Sequence, residues 1–176
     1  MTIFISMLFC ASFLFAQTKY YNTTKTFKEN GYTYQCDVDQ GSKMVKLYNK
    51  DNKWIHSEQV YKDTGTIFIM SQSGLKLVQD DSWTYEKCHS IVENAFSTVE
   101  KQRLRGCGLS MSMYIDPNTG KIGDVLFEFL SINPTATIPV SVYRKIEADL
   151  KKLIWFTPTS EGKKLNYIFR WWRQKF

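Results

Sequence analysis

Residues 107–130 read CGLSMSMYIDPNTGKIGDVLFEFL. Leu109, Met111, Met113 and Ile115 alternate with Ser110, Ser112 and Tyr114, the period-two pattern of a strand with one buried face. Asp116-Pro117-Asn118-Thr119-Gly120 is dense in turn-forming residues. Ile122–Leu130 then predicts a second strand, apolar on both faces near Leu126-Phe127.

Downstream of this pair, Pro139 opens a helix, since proline is tolerated in a first turn. Val142, Tyr143, Ile146, Leu150 and Leu153 share one helical face; Arg144, Lys145, Glu147, Lys151 and Lys152 are expected to meet water. Phe156-Thr157-Pro158 and a turn at Glu161-Gly162 lead into a last strand over Leu165–Trp172. Upstream, Tyr85, Cys88, Ile91, Val92, Ala95, Phe96 and Val99 keep helical spacing. Asp81 or Ser82 caps the start of that helix, and Gly106 stops it. Residues 81–176 therefore predict an α–β–β–α–β unit.

Ahead of that unit, Tyr20–Val78 is strand-like. Asn30-Gly31 is a strong hairpin signal, followed by Tyr32, Tyr34, Cys36 and Val38 in alternation with Thr33, Gln35 and Asp37. Gln40-Gly41-Ser42, Lys50-Asp51-Asn52, Asp63-Thr64-Gly65 and Ser73-Gly74 mark further turns. Residues 17–80 predict an antiparallel β-meander of four to six strands, and the fold class is α+β.

The chain begins MTIFISMLFCASFLFA, sixteen residues without a charge. A helix of that length spans about 20 Å, short of a hydrocarbon core of roughly 30 Å. It reads as a signal peptide over residues 1–16, cut between Ala16 and Gln17. No membrane span is then expected in the mature chain, which is placed in the periplasm or outside the cell. The net charge of +6 is untouched by the cut and favours anionic partners. Export makes nucleic acid a poor candidate and another envelope or secreted protein a better one.

Cys36, Cys88 and Cys107 remain after cleavage. In an oxidising compartment they form either one disulfide with a thiol left over or three buried thiols. An unbroken helix to about Leu104 carries the chain too far for Cys88 to reach Cys107. A disulfide would therefore join Cys36 to Cys88 or to Cys107.

Catalytic chemistry finds little support. His89 follows Cys88 directly, and helix neighbours point about 100° apart, so the two cannot pair. His56 is expected on a meander strand near Ser57 and Glu58. Asp37 and Asp39 before Gly41, and Asp116-x-Asn118-x-Gly120, resemble calcium loops but lack the distal acid and read as turn chemistry. No zinc helix, nucleophile elbow, phosphate loop or cofactor motif occurs.

Residues from about 107 to 176 resemble the C-terminal domain of TonB-like proteins. The matching pieces are Tyr114-Ile115-Asp116-Pro117, Gly120-Lys121-Ile122-Gly123-Asp124-Val125, the helix to Leu153, and Phe156-Thr157-Pro158. The resemblance implies recruitment of a peptide strand beside the final strand. The spanning anchor and Pro-rich spacer of an energy-transducing TonB are not found, so no force-transmitting role is expected.

The functional expectation is a non-catalytic binding module that takes a partner's extended segment at an open sheet edge. Tyr167, Phe169, Arg170, Trp171, Trp172 and Arg173 are the expected contact residues, with Trp172 as the anchor. In a competing arrangement the meander pairs with the last strand and leaves no edge. The alternative function is an envelope hydrolase with a carboxylate site.

Overall fold

The computed structural model describes residues 18–79 and 82–176. The segment expected to be a signal peptide lies outside the described residues, as does Asp81 of the expected helix cap. Six strands form one antiparallel sheet in the order β1-β2-β3-β5-β4-β6. They are β1 (Lys25–Glu29), β2 (Tyr32–Val38), β3 (Met44–Asn49), β4 (Gly108–Ile115), β5 (Ile122–Leu130) and β6 (Ile168–Lys175). The architecture is α+β, as expected.

Local chemistry explains the tight connections. Asn30 and Gly31 have φ of 47° and 82°, the left-handed pair that matches strand twist in a two-residue hairpin. Asp39 Oδ1 accepts from the amides of Gly41 and Ser42, each at 2.8 Å. Asp116 Oδ1 accepts from Asn118 and Thr119 at 2.8 and 2.9 Å. Both acidic segments are turns, as their sequences predict.

Three expectations need correction. Among the described residues the meander has three strands, not four to six; residues 50–60 cross the outer face of the sheet in turns, and residues 61–69, held by Val60–Ile67 and Tyr61–Leu165 bridges, bring Phe68 into the main core. Their apolar residues come in pairs between turn formers, too short to build strands. Trp54 and Ile55 pack instead on the cluster of Tyr48, Tyr114, Leu126 and Tyr167. His56 accordingly sits in a turn, 3.1 Å from the Tyr48 hydroxyl.

The first long helix is also two helices, α2 (Ser82–Ala95) and α3 (Thr98–Leu104), behind a one-turn α1 (Met70–Ser73). A capping box divides them. Ser97 Oγ accepts from the Glu100 amide at 3.3 Å, and Glu100 Oε2 accepts from the Ser97 amide at 2.7 Å. The break resets the helical phase, which leaves Val99 exposed. Finally, Cys36, Cys88 and Cys107 are all free, so the candidate disulfides from Cys36 are absent; Cys36 and Cys88 are buried on separate elements.

Helix α4 (Val140–Leu153) packs with α2 on the inner face of the sheet, over Leu47, Met111, Ile115, Val125 and Phe127. Its residue Glu147 was expected to meet water but is fully buried. It accepts from the Tyr34 hydroxyl on β2, and Lys151 Nζ lies 2.6 Å from its other oxygen. Burial first, then the Glu147 charge, pushes the Tyr34 hydroxyl well above the usual tyrosine range.

Gly120 closes the β4–β5 turn at φ 72°, and a Cβ there would lie 1.8 Å from the Phe156 carbonyl oxygen. The same approach lets the Phe156 amide donate to Gly120 O at 2.8 Å. Gly120→Ala combines a left-handed backbone with a main-chain clash, and is expected to cost more than about 2 kcal/mol. Chemical denaturation of residues 17–176 measures this; unchanged stability would contradict the close approach.

Candidate functional site

Strand β6 is one edge of the sheet. It pairs with β4 from Gly108↔Lys175 to Ile115↔Ile168, and no described strand pairs with its other side. The Phe176 amide donates to Cys107 O on the β4 side. By strand alternation, Phe169, Trp171, Arg173 and Lys175 direct their amides and carbonyls to the open side. The arrangement in which the meander covers this strand is not found, because β3 pairs with β5 instead.

The chain is closed off just before this edge, and at the far end the Lys175 carbonyl accepts from Gln174 Nε2 at 3.0 Å. Gln59 Nε2 donates to Tyr167 O at 2.8 Å, and the Tyr167 hydroxyl donates to Ser57 O at 2.7 Å. Tyr167 is thus buried and committed to holding the 57–59 segment. Beyond it a groove opens between β6 and the helical layer. One cavity of about 370 Å³ is lined by Met70, Leu75, Val78, Tyr85, Phe169 and Arg170, among others. A second, of about 180 Å³, shares Thr84, Tyr85 and Arg170 with it and continues to Cys88, Met113, Phe156 and Trp172.

The expected contact residues divide between the two faces. Trp171 is 57% exposed, whereas Trp172, expected as the anchor, is 9% exposed and packs in the core, its ring 6.3 Å from Tyr85. Arg170 is exposed and holds its guanidinium 5.7 Å from the Phe156 ring centroid. Phe169 is half-buried against Tyr114. Arg173 lies over Gly108, where an added Cβ would come within 2.6 Å of its Nε.

The far wall escaped sequence reading. Tyr85 was assigned to the buried stripe of its helix, yet it is 63% exposed and faces the groove. Its neighbour Thr84 takes the buried position. Met70 and Leu75, 44% and 37% exposed, flank the Ser73-Gly74 turn; apolar residues beside a turn were the available signal. Gly162 holds this wall close, since the Leu77 carbonyl oxygen lies 2.1 Å from where its Cβ would be. Among the described residues, the groove lining carries Lys76 and Arg170 and no acidic side chain.

A separate, polar cavity of about 320 Å³ contains Asp51, Asp116, Asp124 and Lys151. Asp124 Oδ2 accepts from the amides of Lys53 and Trp54, both at 2.7 Å, and burial pushes its carboxyl up. Burial also acts against the Asp116 charge, but the Thr119 and Asn118 amides hold that carboxyl below its ordinary value. Both carboxylates anchor backbone. Among the described residues, no group of three or more His, Cys, Asp or Glu side chains is placed to hold a metal ion.

A family model described as a domain of unknown function (DUF5043) matches residues 17–172. Comparison with curated proteins gave no match. The crystal structure of a DUF5043 family protein from Bacteroides uniformis ATCC 8492 is 44% identical, with a TM-score of 0.83, over 90% of this chain and 94% of that one. The chain belongs to the DUF5043 family. This overturns the TonB-like identification, which rested on residues 107–176 alone. Those residues do not form a sheet of their own: β5 is flanked by β3, and one fold runs through both halves.

Cys88 lines the groove, but burial pushes its thiol up to about 12, against the Arg170 charge that lowers it. A thiol held that far up stays protonated near neutral pH and is a poor nucleophile. Cys36 is likewise pushed up to about 11 by burial. In native protein, thiol reagents are expected to label the half-buried Cys107 first. The unfolded, unreduced chain 17–176 should titrate three thiols, and a count of one would establish a disulfide.

Proposed function

We propose that this chain, a member of the DUF5043 family, is an exported protein-binding module that captures an extended, acidic segment of a partner along the free edge of β6. The observation that carries this reading is an unpaired strand edge opening into a cationic, aromatic-lined groove. An incoming strand gains main-chain hydrogen bonds from the outward groups, while the groove selects alternate side chains. Arg170, Arg173 and Lys175 guard the edge against indiscriminate pairing and favour acidic sequences. They also disfavour a second copy, since β6 paired with β6 would set three cations against three. Export makes the partner an envelope or secreted protein. The family match beginning at residue 17 supports the division between leader and mature chain.

Selection from a library of displayed extended peptides is expected to enrich acidic sequences with alternating apolar residues. Trp171→Pro removes an outward amide without taking a ladder bond from β4. It is expected to abolish peptide binding while the far-UV spectrum stays native. No enriched peptide, or equal binding by the folded variant, would overturn strand capture. For export, the intact mass of the secreted product should correspond to a chain beginning at Gln17. A full-length chain retained in the membrane would contradict it.

A further inference from the structure

Strand β1 is the other edge of the sheet, and no described strand pairs with its free side. It reads Lys25-Thr26-Phe27-Lys28-Glu29. The two-residue Asn30-Gly31 loop makes Glu29↔Tyr32 a hydrogen-bonded pair, so Phe27 and Lys25 also turn their main-chain groups toward β2. Thr26 and Lys28 therefore direct theirs to the open side. The next strand keeps the same alternation: Thr33, opposite Lys28, turns its carbonyl away from β1 and accepts from the Lys50 amide at 2.8 Å. Lys25, Phe27 and Glu29 share the inner face with Tyr34 and Cys36, and the half-buried Phe27 ring lies 5.3 Å from that of Tyr21.

We infer that a second copy of this chain pairs antiparallel along β1, about a two-fold axis at Phe27, joining the two sheets into one. Outward groups must meet outward groups, so the axis falls on a residue rather than between two. An axis at Lys28 sets Lys28 against itself, and one at Thr26 sets Lys25 against Phe27 and Glu29 against Thr23. With the axis at Phe27 the whole strand is self-complementary: Thr26 meets Lys28, Lys25 meets Glu29, each twice, and Phe27 meets Phe27. The Thr26–Lys28 pairs exchange main-chain hydrogen bonds in both directions. The Lys25–Glu29 and Phe27–Phe27 pairs are of the non-bonded kind, with Cα atoms about 4.5 Å apart and side chains in closest contact. Asn30 Nδ2 holds Glu29 Oε1 at 2.9 Å, which leaves the other oxygen to the lysine. Lys25 Nζ already stands 5.0 Å from the Phe27 ring centroid, beside the axis. The two Lys28 side chains lie diagonally on the outer face and stay in water. The net charge of +6 on each copy opposes approach, but it is screened beyond about 8 Å at physiological ionic strength. Both β6 edges remain free at the ends of the joined sheet, so the inference does not depend on what β6 binds.

Sedimentation velocity of residues 17–176, from about 5 μM to about 1 mM at physiological salt, resolves a short edge pairing with a Kd on the order of 100 μM. The expected result is a reversible monomer–dimer equilibrium. Thr26→Pro removes an outward amide and takes no ladder bond from β2. It should weaken the dimer at least about tenfold while the far-UV spectrum stays native. Lys25→Glu and Glu29→Lys each set like charges together in both symmetric contacts, and each should weaken it by a similar factor. An equal mixture of these two variants restores opposite charges in both contacts, and should recover the original affinity as a heterodimer. Such recovery also shows that both variants are folded. A chain that stays monomeric throughout, or that goes on to assemblies larger than a dimer, overturns the proposal. So does a dimer that Thr26→Pro leaves unchanged, or a mixture that associates no better than either charge variant alone.

Discussion

The antiparallel pairing of β3 with β5, from Met44↔Leu130 to Tyr48↔Leu126, governs the rest of the structure. Without it the three N-terminal strands would form a small sheet with two edges and little to cover them. The β5-β4-β6 group would likewise keep β5 as an edge. Joining them places Leu47 beside Phe127 on one continuous inner face and Tyr48 beside Leu126 on the outer one. It also makes β5 an interior strand, which is why that strand is apolar on both faces. Among the described strands, only β1 and β6 remain as edges.

Glu147 and Tyr21, both buried, are met by partners that also tie the layers together. Glu147 lies wholly out of water, where an unpaired carboxylate would be costly. Tyr34 from β2 and Lys151 one turn along α4 both meet it, so a meander strand is fastened to the last helix. Tyr21 does the same from the segment before β1. Its hydroxyl donates to Ile138 O at 2.9 Å, while its ring lies edge-on to Phe129 and Tyr143. Tyr143 and Phe129 stack with their planes 5° apart, bringing α4 down onto β5. Interlocking of this kind makes the two sequence regions one folding unit.

The two faces of the sheet serve different ends. The inner face is covered by helices. The outer face is covered at one end by residues 50–60, with Trp54 against Tyr167 at 5.9 Å and the Asp124 carboxylate receiving two loop amides. From Gln59 through Lys62 the chain meets residues 164–167, just before β6. The approach to β6 is therefore sealed and the strand itself left open, beside a wall drawn in by the contact of Leu77 with Gly162. Position of the edge, width of the groove and the cationic strand all follow from where the irregular segments run.

What the residues determined alone was local. Asn30-Gly31 and Asp116–Gly120 build their turns through left-handed backbone and side-chain acceptors a few positions apart, and both were readable. The alternation of β2, β4 and β5 and the stripe of α4 were readable for the same reason, since each repeats within one element. Ser97-Thr98-Val99-Glu100 held a capping box that the helical periodicity concealed. Whether the meander pairs with β5 or with the last strand was not readable, because either pairing satisfies the same alternation. Nor was the assignment of the adjacent tryptophans: alternation separates Trp171 from Trp172, but only the helices on one face decide which is buried. Glu147 looked like a surface residue until Tyr34, 113 positions away in sequence, came to face it. The candidate site belongs to this second class. Its strand was legible, but its opposite wall and its open side exist only once distant segments pack, since sheet order and burial are settled by contacts between elements rather than within them.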